Sequence, residues 1–141
     1  MSSLQRRLCD ASRSGVYRVA RADAVDDALQ GSGLRLARVT LGKGAGKAEI
    51  LRQLARALAF PAWFGGNWDA LEDCLGDLSW SGAAGHVVLV EGAAQAVADD
   101  VGVLRDILAS AAASWCERGR PFFAVFVGGA DDLPQLHRER K

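Results

Sequence analysis

Two apolar runs constrain this chain most: HVVLV at residues 86–90 and FFAVFV at residues 122–127. A strand with one face in water alternates apolar and polar side chains, so runs without alternation call for strands covered on both faces. Between them, Leu104, Ile107, Leu108, Ala111, Ala112 and Trp115 recur at helical spacing, and Gly119 with Pro121 stops the helix. Strand, helix and strand in that order imply parallel pairing through a right-handed crossover.

The pattern continues toward the N-terminus. Residues 34–41 (LRLARVTL) alternate like a strand, and residues 47–59 place Ile50, Leu51, Leu54, Ala55 and Leu58 on one helical face. Pro61 is expected to end that helix by excluding the helical conformation at Phe60. An aromatic turn at 60–66 leads to Asn67, a good N-cap, and to an amphipathic helix over 68–78. Ahead of these, residues 15–20 read as a short strand and 23–29 as a short helix, closed by Gly31, Ser32 and Gly33. Residues 1–14 are polar and rich in Arg and Ser, and read as a flexible lead. The expected class is α/β: a small parallel sheet of three strands packed with helices. Residues 15–33 add a strand and helix in front, with room for a fourth strand at the N-terminal edge. At 141 residues one core suffices, so residues 15–141 are expected to form a single domain.

Several kinds of chemistry are excluded. The longest apolar stretch, 122–127, is far shorter than a bilayer span, and no secretory apolar region opens the sequence. Cys9, Cys74 and Cys116 cannot all pair and show no C-x-x-C spacing, which suits free thiols in a reducing cytoplasm. The glycine-rich segment 41–48 sits where a phosphate loop would. It has Leu41 where a Walker loop needs Gly and Ala48 where it needs Ser or Thr, so it reads as a turn. Ser79 and Ser81 lack a nucleophile elbow, His86 opens a buried strand, and His137 lies in a charged tail. No catalytic set, resident metal or cofactor is expected.

Charge is more informative. Seventeen basic residues balance seventeen acidic ones, but residues 57–104 contain seven acids and no Lys or Arg, whereas residues 1–56 carry eleven Lys or Arg against five acids. Asymmetry of this size points to an interaction surface. Asp69, Asp73 and Asp77 recur every four residues, with Glu72 beside Asp73, opposite an apolar face of Leu71, Cys74, Leu75 and Leu78. Like charges at that spacing repel, and a cationic partner or a metal ion would relieve them. A straight helix lays its carboxylates along a row, however, and does not wrap them around one ion.

Residues 58–75, LAFPAWFGGNWDALEDCL, resemble the signature of the barstar family of ribonuclease inhibitors: an apolar-Pro pair, two aromatics, Gly, Asn, then D-A-L-x-D-C-L. The wider resemblance covers residues 34–128 and leaves 15–29 and the tail outside. It implies a cytoplasmic inhibitor or immunity protein, not an enzyme. Its loop and second helix would plug the active site of a small basic ribonuclease. By position, Trp63 would pack into the nuclease, Asn67 would cap the helix, and Asp69 and Asp73 would meet cationic catalytic groups, Asp73 centrally. Phe64, Gly65, Glu72 and Asp77 complete the expected partner-binding surface. Glu72 stands where the family has an aromatic, and Ser114 where a later helix supplies a glutamate to the interface. A barstar-like module for some other basic protein is the alternative. Direct nucleic-acid or membrane contact is not expected.

Overall fold

The computed structural model describes residues 2–62, 64–128 and 130–136. Its sheet has four strands, β1 (Gly15–Val19), β2 (Leu34–Thr40), β3 (Gly85–Glu91) and β4 (Phe122–Val127), all parallel and in the order β1-β4-β3-β2. The helices are α1 (Ser3–Leu8), α2 (Asp23–Leu29), α3 (Lys47–Ala57), α4 (Trp68–Asp77) and α5 (Ala98–Glu117). The α/β class with parallel pairing is as expected, and the fourth strand is indeed N-terminal and at an edge.

The two central strands explain the unbroken apolar runs. Val88 and Val90 of β3 and Phe122, Ala124 and Phe126 of β4 join one core with Ile50, Leu54, Leu71, Leu75, Leu104 and Leu108 from α3, α4 and α5. The intervening Val87, Leu89, Phe123 and Val125 join a second core with residues of α1 and α2. Side chains alternate between the two faces along a strand, and here both faces are covered. The edge strands carry the polar residues: β1 is half-buried throughout, and β2 exposes Arg38 and Thr40.

The lead, expected to be flexible, is structured over Ser3–Leu8. Ser2 Oγ accepts from the Gln5 N–H at 3.1 Å, which caps α1. Leu4 and Leu8, four residues apart and hence on one face, are both buried in the second core. Two leucines in a short polar segment are too few to show periodicity, yet they suffice to dock one helical turn. The other end of the described chain also returns to the sheet. The Arg18 N–H donates to Pro134 C=O and the Leu136 N–H to Arg18 C=O, each at 2.9 Å, and these bonds cover the outer edge of β1. Among the described residues, no helix is long and apolar enough to cross a membrane.

Candidate functional site

The site begins where α3 ends. Ala59 takes a left-handed conformation (φ 53°), with its N–H donating to Arg56 C=O at 3.3 Å and the Phe60 N–H donating to Ala55 C=O at 2.9 Å. This is a Schellman turn. The helix thus stops before the proline takes effect, two residues short of the boundary expected from Pro61. The turn sends Phe60 back into an aromatic cluster, 4.9 Å edge-on from Phe64 and 6.0 Å from Trp80 between ring centroids. Trp80 Nε1 donates to Leu58 C=O at 3.0 Å, so the loop before α4 is tied to the turn after it.

Both ends of α4 are hydrogen-bonded. Asn67 Oδ1 accepts from the Ala70 N–H at 2.7 Å, the N-cap expected from the sequence. At the other end, α5 supplies donors to carbonyls that a helix leaves open: Trp115 Nε1 to Leu75 C=O at 2.7 Å and Arg118 Nη2 to Gly76 C=O at 2.8 Å. The Arg118 charge also complements the negative end of the helix dipole. One face of α4 is anchored by Leu71, Cys74 and Leu75, all fully buried, with Leu78 just beyond in a left-handed conformation (φ 46°). Burial raises the Cys74 thiol pKa, and the charges of Asp73 and Asp77 add to the shift, so this sulfur is a packing group and not a nucleophile.

The opposite face presents Asp69, Glu72, Asp73 and Asp77 to solvent. Among the described residues none of the four makes an ion pair, and the Ser110 hydroxyl at 3.4 Å from Glu72 Oε1 is their one side-chain hydrogen bond. The other acids of the 57–104 segment are used differently. Glu91 pairs with Arg38 at 2.8 Å, Asp100 Oδ2 accepts the Lys47 N–H at the start of α3 at 3.0 Å, and Asp99 is exposed at the start of α5. The linear charge block is therefore divided in space, and α4 retains its unpaired core.

The glycine-rich segment is a turn, as expected. Its Gly42 N–H donates to Glu49 Oε2 at 3.0 Å, and the following Lys47 N–H is held by Asp100. Carboxylates thus occupy amides that a phosphate would need. His86 is buried, with Nε2 2.7 Å from Ser81 Oγ, and its pKa is lowered to about 4 by burial first and then by the charges of Arg35 and Arg120.

A family model described as "Barstar (barnase inhibitor)" matches residues 34–127, about two thirds of the chain. The chain belongs to the barstar family. Comparison with curated proteins gave no match. The barstar match runs from β2 through β4 and includes the aromatic loop and α4, whereas α1, β1 and α2 precede it.

On this barstar frame, Asn67, Asp69, Glu72, Asp73 and Asp77 form one contiguous exposed surface with Gly65 at its N-terminal end. Phe64 differs: it is half-buried and packed against Phe60 and the first core, so it supports the loop more than it projects from it. Trp63 lies outside the described residues. The sequence reading missed Arg118, whose guanidinium lies 3.6 Å over the Trp115 ring and reaches α4, and it missed Trp80 as the tie between loop and turn. Neither has a local sequence signal, because each acts on a residue more than twenty positions away.

Proposed function

We propose that this barstar-family chain is an inhibitor of a cognate ribonuclease, acting in the cytoplasm as an immunity protein, with α4 and the loop at 63–67 as its contact surface. The observation that carries the reading is the unpaired carboxylate row on a helix whose other face is buried and whose two ends are hydrogen-bonded. A ribonuclease gathers cationic groups to bind phosphate, and a carboxylate held rigidly at the right place satisfies the same groups without being cleaved. Because α4 is already ordered, little conformational entropy is lost when the partner arrives. Asp73, at the middle of the row, takes the central position, with Asp69 and Asp77 on either side along the helix axis.

The test is to immobilise the chain, purify the protein it retains from its host, and measure RNA cleavage by that partner against increasing inhibitor. Stoichiometric loss of cleavage is expected. Asp73→Ala should weaken the complex by about 30-fold or more, the range for truncating one side of a desolvated charge pair. Association should also slow as salt rises, since the row attracts its partner over distance. A basic partner that does not cut RNA would replace the inhibitor reading with that of a general protein-binding module. An affinity unchanged by Asp73→Ala would remove the assigned surface.

A further inference from the structure

Beside the C-terminal end of α4 lies a cavity of about 250 Å³, lined by residues that include Asp77, Ser79, His86, Trp115, Arg118 and Arg120. Two guanidinium groups dominate it. Arg118 lies 3.6 Å and Arg120 5.5 Å from the centroid of the Trp115 ring. Each is pinned by backbone, Arg118 Nη2 to Gly76 C=O and Arg120 Nη2 to Ala83 C=O, both at 2.8 Å. Arg118 is fixed further by Ser114, whose Oγ accepts from the same Nη2 at 2.9 Å. Arg118 has committed both Nη2 hydrogens, and its Nε donates to Ser114 C=O at 3.4 Å, so these bonds leave its Nη1 donors, whereas Arg120 has committed Nη2 alone. Among the described residues neither arginine forms an ion pair, and Asp77 is the one carboxylate in the lining. The positive field reaches the inner wall, where the charges of Arg35 and Arg120 help to keep the His86 imidazole neutral.

We propose that this cavity binds a phosphate group between Arg118 and Arg120. Arg118 Nη1 and the remaining donors of Arg120 can serve phosphate oxygens, and both side chains are fixed before any ligand enters. With Asp77 the lining carries one net positive charge, which a singly charged anion balances. The cavity is smaller than the roughly 300–1,000 Å³ of drug-sized ligand pockets, which suits a phosphate ion or the phosphate end of a larger molecule. The site adjoins the proposed contact surface, sharing Asp77 with it, but uses none of Asp69, Glu72 or Asp73.

The experiment follows the His86 imidazole and the Trp115 indole by NMR in the intact chain. The probes are inorganic phosphate and a short oligoribonucleotide with and without a 3′-phosphate, with chloride at matched ionic strength as the control. Saturable shifts at both residues are expected with phosphate. Arg120→Gln should weaken phosphate binding about 10-fold or more, and Arg120→Lys less. Tighter binding of the 3′-phosphorylated oligonucleotide than of the free ion would identify an RNA end as the source, and equal binding would identify the free ion. A linear response equal to that of chloride would overturn the proposal, as would shifts centred away from this cavity. An undiminished response in Arg120→Gln would do the same. Should that variant fail to fold, the location of the wild-type shifts and the response of Arg120→Lys decide.

Discussion

His86 couples the stability of this protein to pH. Its imidazole titrates near pH 4 in the folded chain and near 6.5 when unfolded, because burial and two nearby arginines disfavour the cation. Between those values the unfolded chain holds a proton that the folded chain lacks, so stability falls as pH drops through that window. The loss from this one residue should reach about 3 kcal/mol by pH 4 and grow no further below it. Urea titrations at pH 7, 5.5 and 4.5 check this, and His86→Gln should flatten the dependence between pH 6.5 and 4. A slope unchanged in that variant would mean that other groups carry it. The sequence anticipated a buried structural histidine from its place at the head of an apolar run. Its partners were not legible, because Arg35, Ser81 and Arg120 come from three separate segments that only the fold brings together.

Among the elements, α4 is held at its start by one side-chain bond. Removing the Asn67 cap should cost about 1 kcal/mol, measured as a lower urea midpoint for Asn67→Ala with an unchanged slope. No loss of stability would show that packing alone fixes the first turn. This helix was legible almost in full, since cap, apolar face and acidic face all express relations between residues three or four apart. The end of α3 was less so. The sequence offered Pro61 as the stop, but a Schellman turn with Ala59 in the left-handed region comes first, and alanine gives little warning of such a conformation. Both non-glycine residues with positive φ among those described, Ala59 and Leu78, flank the segment that contains the loop and α4. Backbone conformations that side chains resist thus mark the entry to and exit from the candidate surface.

For the whole molecule, the sheet divides two cores of unequal kind. The one beneath α3, α4 and α5 lies, Ala130 apart, within the family-matched span, whereas the other needs the N-terminal addition to cover it. Leu8 is fully buried there, so Leu8→Ala should destabilise the entire chain by about 3 kcal/mol, seen as a drop in thermal midpoint of the single unfolding transition. A change confined to local fraying of residues 1–14 would mean that the addition is a separable cover. The strand and short helix of the addition were legible, but α1 and the partner of β1 were not, because their evidence is long-range: α1 has two apolar contacts to offer, and β1 alternates too briefly to reveal which strand it joins. Its register answers that, with Gly15 opposite Phe123 and Val19 opposite Val127. These pairs also set a clock. β1 has no neighbour until β4 has been made, while β2 and β3 can already pair with each other. While the segment between β1 and β4 is being made, β1 therefore stays an unpaired strand, and its docking closes a long loop.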